Sequence, residues 1–185
     1  MIIHIYQTER ETGCRQFLSA VVILMITSLV SGKVPCTDVT VSGISSGGPM
    51  ANQLHIAFSK EISGCGILAG PPYYCAGNEW TMTVCMTGPA AYISVSALQL
   101  VIDSYFVSGT IDDPSSISND SVYVFSGQYD SVVYPGIVKL NEKVYSQLGA
   151  NVKTNFDMEA NHCFPTENFG DECAVLNQKS FINNW

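Results

Sequence analysis

The segment Gly43-Ile44-Ser45-Ser46-Gly47 constrains the fold most, because it has the pattern G-x-S-x-G. In serine hydrolases this pattern forms a sharp turn from a strand into a helix, where larger neighbouring side chains would clash. Residues 38–41 alternate like a strand, and residues 49–58 are compatible with a helix that has Pro49 in its first turn. The motif predicts Ser45 as a nucleophile, although an ordinary glycine- and serine-rich turn is the alternative.

Residues 1–32 have the pattern of a secretory signal peptide. Arg10 and Arg15 precede an apolar run from Phe17 to Val30, and small residues suit a cleavage site after residue 32. The run has 14 residues, fewer than the ~20 that a membrane-spanning helix needs, although an uncleaved signal anchor is the alternative. We therefore expect a secreted chain, free of the membrane after cleavage, in which residues 33–185 form the folded domain.

Cysteine usage agrees with secretion. Residues 33–185 contain six cysteines, an even number that suggests disulfide bonds, although six cysteines allow fifteen pairings. Cys75 and Cys85 lie in one irregular segment, residues 70–88, and we expect them to form a disulfide bond. The spacing lacks the C-x-x-C pairs of a zinc site, so no metal is expected.

The charge of the chain argues against several classes of partner. Residues 33–185 contain six lysines, no arginine and fourteen acidic residues, and the net charge of the whole chain is −8. An acidic surface without arginine argues against nucleic acids and anionic membranes, whereas it suits a neutral or apolar substrate. A hydrophobic content of 46% with 13% charged residues excludes a disordered chain.

Strand and helix patterns alternate after the serine motif. Strand patterns at 65–69, 121–125 and 151–158 alternate with helical spacing within 89–107 and 137–148. This alternation predicts an α/β fold with a mainly parallel sheet and flanking helices.

The segment 70–88 carries three aromatic residues and is predicted to be an irregular loop. Binding loops of parallel sheets cluster at the carboxyl ends of the strands. Tyr73, Tyr74 and Trp80 are therefore candidate substrate contacts, with packing in the core as the alternative.

A serine nucleophile needs a base, which is almost always a histidine, and the chain has three histidines. His4 lies in the predicted signal peptide. His55 lies ten residues beyond Ser45 on the same predicted helix, about 15 Å along its axis, so we expect it to be structural. His162 follows the last predicted strand, where an α/β-hydrolase places its base, and it is the predicted base.

The third member of a triad orients the histidine, and in this fold it lies between the serine and the histidine in sequence. Asp130 follows the strand at 121–125 and precedes a predicted helix, so we predict that it orients His162. Asp103 lies on a helix face, and Asp112 and Asp113 lie in a polar loop, where solvated roles fit better.

Four segments of the chain together resemble the secreted poly(3-hydroxybutyrate) depolymerases of the single-domain esterase type. They are residues 41–48, 69–76, 126–133 and 162–166, within a resemblance that runs from about residue 39 to residue 184. The resemblance implies a circularly permuted α/β-hydrolase that cleaves ester bonds of polyhydroxyalkanoates without a cofactor. It also implies Ser45 as nucleophile, Asp130 as orienting carboxylate and His162 as base.

The chain departs from this family in its second half. It has no His-Gly-Gly or His-Gly-Cys motif, and it ends 23 residues after His162, where the resemblance implies a longer C-terminal part. The backbone N–H of Ser46 is the one predicted oxyanion donor, and the resemblance implies that Cys173 lacks the partner that the family holds at Trp185. Since losing one oxyanion donor costs about 10²–10³ in turnover, we expect weak or absent activity.

These observations favour a secreted serine esterase that acts on polyhydroxyalkanoates such as poly(3-hydroxybutyrate). Within the same class, the alternative is a carboxylesterase for small substrates. Outside it, the alternative is a catalytically inactive, C-terminally truncated fragment or binding module that keeps only the triad.

Overall fold

A five-stranded sheet forms the centre of the fold. The computed structural model describes residues 3–7, 38–77 and 79–185, so most of the predicted signal peptide, residues 1–32, lies outside the described residues. The strands are β1 Ile3–Gln7, β2 Val39–Ile44, β3 Ile62–Leu68, β4 Ser121–Phe125 and β5 Asn151–Asn155, and they lie side by side in this order.

The strands β2 to β5 run parallel, and β1 pairs with β2 in the antiparallel direction at the edge. The parallel sheet that the alternation predicts is therefore confirmed. The bounds of β4 match the predicted strand, whereas β5 ends at Asn155, three residues before the predicted end.

Helices fill the connections between the parallel strands. They are α1 Gly47–Ala57, α2 Glu79–Thr87, α3 Val95–Val107, α4 Pro135–Val138 and α5 Leu140–Gln147, with 3-10 helices at Ala90–Tyr92 and Pro114–Ile117. The predicted helix at 137–148 is present as two pieces, because α4 ends at Val138 and α5 begins at Leu140.

The prediction of an irregular loop over residues 70–88 is wrong for its second half, which is the helix α2. Its sequence has little amphipathic pattern, so contacts with other segments rather than periodicity stabilise it. A disulfide bond joins Cys85 of this helix to Cys75, and Tyr134 donates its backbone N–H to the carbonyl of Met86 at 2.8 Å.

The main hydrophobic core lies between one face of the sheet and the helices. In β4, Val122 and Val124 are buried whereas Tyr123 between them is 41% exposed, which is the alternation of a strand with one covered face. Ile56 of α1 and Ile102 of α3 are fully buried in the same cluster. This packing fixes the directions in which the ends of the strands point.

A second, smaller sheet follows β5. It consists of β6 Phe164–Thr166, β7 Asp171–Glu172 and β8 Ile182–Asn184, with β8 in the middle. Asn183 is buried and donates its side-chain amide to the carbonyls of Glu172 and Val175 at 2.9 and 2.8 Å. Across the three described ranges of the chain, every helix is too short or too polar to cross a bilayer.

Candidate active site

Ser45 lies in a tight turn between β2 and α1. Its φ is +54°, a left-handed conformation that non-glycine residues rarely adopt and that clusters at functional sites. Its backbone N–H donates to the carbonyl of Leu68 in β3 at 2.9 Å. A Cβ on Gly43 would lie 2.2 Å from the carbonyl oxygen of Gly47, so the turn requires glycine there. The sharp strand-to-helix turn that the motif predicts is present.

Ser46 follows the serine of the turn and directly precedes α1. Its side chain is exposed, whereas that of Ser45 is only partly exposed. The first N–H groups of a helix have no partner within the helix, and they carry a partial positive charge. The position of Ser46 is thus one at which a backbone N–H could stabilise a negative oxygen beside Ser45.

Asp130 lies in the loop after β4 and is 3% exposed. Its Oδ1 accepts hydrogen bonds from the backbone N–H groups of Val132 at 2.9 Å and Val133 at 2.8 Å. These two donors fix the orientation of the carboxylate.

His162 lies in the loop after β5 and is fully buried. Its Nδ1 lies 2.9 Å from Oδ2 and 3.1 Å from Oδ1 of Asp130. Because a carboxylate accepts at Nδ1, the proton of a neutral ring sits there and Nε2 is left as the basic nitrogen. Within the described residues, Nε2 of His162 is buried without a hydrogen-bond partner. The arrangement therefore leaves a basic nitrogen available for a proton.

Backbone contacts hold the Asp130 and His162 loops against each other. Tyr129 donates its N–H to the carbonyl of Ala160 at 2.9 Å. A Cβ on Gly127 would lie 2.2 Å from that same carbonyl oxygen. The close approach of the two loops therefore depends on glycine at position 127.

Asn161 also joins the two loops, and it is not among the site residues predicted from the sequence. Its Oδ1 accepts from the backbone N–H of His162 at 2.8 Å and from the N–H of Ser131 at 3.2 Å. Its only signal in the sequence is its place beside a candidate histidine. Asn161 positions His162 relative to the loop of Asp130.

Ser45 and His162 lie in loops at the same edge of the sheet, because each follows a parallel strand at its carboxyl end. A cavity of about 140 Å³ is lined by Gly43 and Ile44 beside the serine turn and by Phe181. The ring of Phe181 meets the ring of His162 edge to face, with centroids 5.6 Å apart. Since Nε2 of His162 lacks a partner among the described residues, the structure gives a His162–Asp130 pair but no hydrogen bond from Ser45.

The three predicted aromatic contacts differ in their surroundings. Tyr73 is 3% exposed and belongs to the main core, and burial raises the pKa of its hydroxyl. Tyr74 is 39% exposed, and its ring meets Tyr105 at 5.6 Å in an edge contact. Trp80 falls in α2, but its side chain lies outside the described part of the structure. Of the two tyrosines, only Tyr74 is open to a large substrate.

The predicted disulfide bond between Cys75 and Cys85 is present. Over the described ranges, no group of three or more histidine, cysteine or acidic side chains is arranged to hold a metal ion.

His55 is structural, as expected. It is fully buried, with Nδ1 3.2 Å from the hydroxyl of Tyr145 and Nε2 3.1 Å from Oδ2 of Asp120. A neutral ring satisfies both partners if Nε2 donates to Asp120 and Nδ1 accepts from Tyr145. Burial lowers the pKa of His55, and the hydrogen bond and charge of Asp120 partly oppose this.

The mainly parallel sheet, its flanking helices and the loops at its carboxyl edge define a partial α/β-hydrolase fold. Two solved structures share it: the PHB depolymerase from Penicillium funiculosum, and a serine-to-alanine variant of a PHB depolymerase complexed with an R3HB trimer. Each matches with a TM-score of 0.67 and 29% identity, over 77% of this chain and 45% of the solved chain.

Two curated relatives match the sequence. Over 148 residues the chain is 38% identical to the poly(3-hydroxybutyrate) depolymerase of Delftia acidovorans, and this match covers 77% of the chain and 30% of the relative. It is 33% identical over 172 residues to the polyhydroxybutyrate depolymerase of Talaromyces funiculosus, covering 85% and 47% respectively. No family model matches. The chain thus spans less than half the length of these relatives, and over the matched segment it is similar to poly(3-hydroxybutyrate) depolymerases.

Proposed function

We propose that this chain carries the catalytic residues of a secreted serine esterase that hydrolyses polyhydroxyalkanoates such as poly(3-hydroxybutyrate). The observation that carries the proposal is the buried His162–Asp130 pair, whose free Nε2 lies in a loop at the same sheet edge as the strained Ser45. A buried, oriented imidazole beside a serine turn is the arrangement that serine hydrolases use to activate a hydroxyl. The names of the matched relatives support a polyester as the substrate.

In the proposed reaction, Ser45 Oγ attacks the ester carbonyl while Nε2 of His162 takes the serine proton. The oxyanion that forms is stabilised by the backbone N–H of Ser46 at the start of α1. His162 then gives the proton to the leaving alcohol, and Asp130 stabilises the imidazolium through Nδ1. A water molecule activated in the same way by His162 releases the acid and restores Ser45.

The proposed substrate is neutral and partly apolar, which suits the surface of this chain. The exposed Tyr74 and the side chain of Trp80 are proposed to contact the polymer, and the apolar cavity beside Ile44 is close to the proposed nucleophile. Tyr73 is buried in the core, and its proposed role is to pack beside the ring of Tyr74 and hold it in place. No cofactor, nucleic acid or membrane takes part in the proposed reaction.

The alternatives to a polyester hydrolase are a carboxylesterase for small substrates and a catalytically inactive fragment or binding module. One assay separates these three functions. Purified protein is given a p-nitrophenyl ester of a short acid and, separately, a poly(3-hydroxybutyrate) film. The variant Ser45→Ala removes the proposed nucleophile. The matched control is Ser46→Ala, which removes an exposed hydroxyl one residue away but keeps the backbone N–H.

We expect slow release of acid from both substrates, abolished in Ser45→Ala and retained in Ser46→Ala. The rate is expected to be low because Ser46 is the one identified oxyanion donor, and a missing donor typically costs about 10²–10³ in turnover. Hydrolysis of the small ester alone would identify a carboxylesterase for small substrates. Rates equal to those of Ser45→Ala on both substrates would identify a catalytically inactive fragment or a binding module.

The secretion part of the proposal has its own test. Residues 1–32, which include the antiparallel edge strand β1, are proposed to be removed, so the exported protein begins near Lys33 and keeps the four parallel strands β2 to β5. Intact-mass measurement of protein from the culture medium of a secreting host checks this. Exported protein that still contains Met1 would contradict cleavage.

A further inference from the structure

The thiols of Cys163 and Cys173 lie close together, and Cys163 directly follows His162 in the chain. Their Sγ atoms lie 3.9 Å apart, and the side chains are 0% and 6% exposed. Both are free thiols in the structure. Two sulfur atoms at this distance are in contact.

The backbone around the two thiols is held in register by several hydrogen bonds. Asn161 donates its N–H to the carbonyl of Cys173 at 2.8 Å. Its side-chain amide also lies 3.4 Å from the carbonyl of Ala174. The two thiols share a small buried cluster with Phe125 and Ala160. The meeting of Cys163 and Cys173 is therefore fixed by the fold and not by chance contact of two flexible side chains.

We propose that Cys163 and Cys173 form a second disulfide bond, which ties the loop of His162 to the segment that begins with β7. A disulfide bond has a sulfur–sulfur distance of about 2.0 Å, so the two Sγ atoms must approach by roughly 1.9 Å. The link closes a short ring of residues 163–173 that begins directly after His162, and it restrains the position of the proposed base.

The bond forms by exchange with a small-molecule disulfide such as oxidised glutathione. One protein thiolate attacks the reagent, forms a mixed disulfide and releases one reduced thiol. The second protein thiolate then attacks the first protein sulfur, and a second reduced thiol leaves. Overall, the two cysteines lose two protons and two electrons, and the reagent gains both.

Burial determines when the bond can form. The pKa of Cys163 is raised to about 12, mainly by burial and next by the neighbouring Cys173. Because exchange requires the thiolate, it is slow once the loop has packed. We therefore expect the bond to form during folding, while the two thiols are still exposed.

Disulfide mapping tests the proposal on the unmodified chain. Reduced and unfolded protein is refolded with a mixture of reduced and oxidised glutathione, free thiols are blocked with iodoacetamide, and peptides are identified by mass spectrometry without reduction. We expect a linked peptide pair with Cys163 and Cys173, and Cys65 in the alkylated form. Cys65 is the internal control, because it is buried but hydrogen-bonds to Tyr145 rather than to a cysteine.

The timing is tested by adding oxidised glutathione to native reduced protein, which should give the linked pair at least tenfold more slowly than refolding does. Cys163 or Cys173 recovered alkylated after refolding, or either one linked to Cys36 instead, would overturn the proposal. The mapping does not depend on esterase activity, so its failure is distinguishable from failure of the proposed function.

A thermal-unfolding series adds a second, independent measurement. Cys163→Ser, Cys173→Ser and the double variant are compared with the oxidised protein. A lost ring of this size should lower the Tm by about 5–10 °C in each single variant, and the double variant should fall no further. Additive losses in the double variant, or no loss at all, would show that the two sulfurs only pack together.

Discussion

Nδ1 of His162 lies 2.9 Å from Oδ2 of Asp130, and neither side chain is accessible to solvent. Away from water, the attraction between a carboxylate and an imidazolium is stronger than at the surface. The backbone N–H groups of Val132 and Val133 donate to Asp130 and prevent its carboxylate from rotating away from His162. This pair can therefore hold one tautomer of His162 and stabilise its charged form, the two roles that a triad requires.

Changing Asp130→Asn should slow the reaction of Ser45 without removing the serine. An asparagine can donate to Nδ1, which favours the tautomer with its proton on Nε2 and leaves no base for Ser45. The comparable change in a serine protease costs about 10⁴ in turnover, so we expect a fall of about 10³–10⁴. The rate of covalent labelling of Ser45 by a fluorophosphonate measures this without requiring turnover.

The control for this experiment is Asp103→Asn, at an exposed position on α3 where the carboxylate accepts a hydrogen bond from Gln99. Its labelling rate should match that of the unmodified protein. A labelling rate for Asp130→Asn within tenfold of the control would remove Asp130 from the proposed triad.

Changing Gly127→Ala should separate the two loops that carry the His162–Asp130 pair. The added Cβ would lie 2.2 Å from the carbonyl oxygen of Ala160, so the backbone of one loop must move. Overpacking of this kind costs about 1–3 kcal/mol, measured as the free energy of unfolding in urea. The fluorophosphonate labelling rate should fall as well, because Asp130 follows Gly127 by three residues.

Gly136→Ala provides the matched control, since a Cβ at that position approaches the side chain of Ala90 at 3.3 Å, where a small shift relieves the contact. Its unfolding free energy should change by less than about 1 kcal/mol. Equal effects of the two substitutions would show that the contact of Gly127 with Ala160 is not what holds the loops together.

The positions of the proposed catalytic residues could be predicted from the sequence because each of them lies beside a local pattern, either a turn motif or a strand. Ser45 is recognised from the glycine spacing of a tight turn, and Asp130 follows a strand with a clear apolar pattern, whereas His162 follows a strand with a weaker pattern. Parallel strands align their carboxyl ends, so residues distant in sequence meet at one edge. The buried contact of His162 with Asp130 confirms that these two residues meet.

The contacts that sequence reasoning misses depend on tertiary structure. Asn161 bridges two loops through single hydrogen bonds, which leave no periodic pattern. The helix α2 is stabilised by a disulfide bond and by contact with another segment. Its weak amphipathic pattern therefore does not predict a helix. Strands of two or three residues, such as β7, are too short for alternation to be detected.

Changing Cys85→Ser should destabilise the fold around α2. The bond to Cys75 closes a short ring, and loss of such a ring lowers the free energy of unfolding by about 2–3 kcal/mol in the chain-entropy description. Urea unfolding of Cys85→Ser and of the double variant Cys75→Ser/Cys85→Ser measures the effect. The two variants should be equally unstable, because both lack the same bond. An unchanged midpoint in Cys85→Ser would contradict a stabilising role.

Stability should fall as the pH is lowered below about 6.5, the ordinary pKa of histidine. Burial lowers the pKa of His55 in the folded state, so the unfolded chain binds a proton at a higher pH than the folded chain does. The stability that neutral His55 contributes is therefore complete above the unfolded pKa. It is lost as the pH falls toward the lower folded pKa, with a slope of at most about 1.4 kcal/mol per pH unit for one proton.

The variant His55→Gln tests this assignment, because a glutamine can accept from Tyr145 and donate to Asp120 but does not titrate. Urea unfolding at several pH values between 5 and 7.5 should give a flatter dependence for His55→Gln than for the unmodified protein. The exposed Asp103→Asn variant should keep the original slope. The same slope in His55→Gln as in the unmodified protein would assign the pH dependence to other groups, even if the variant were less stable at every pH.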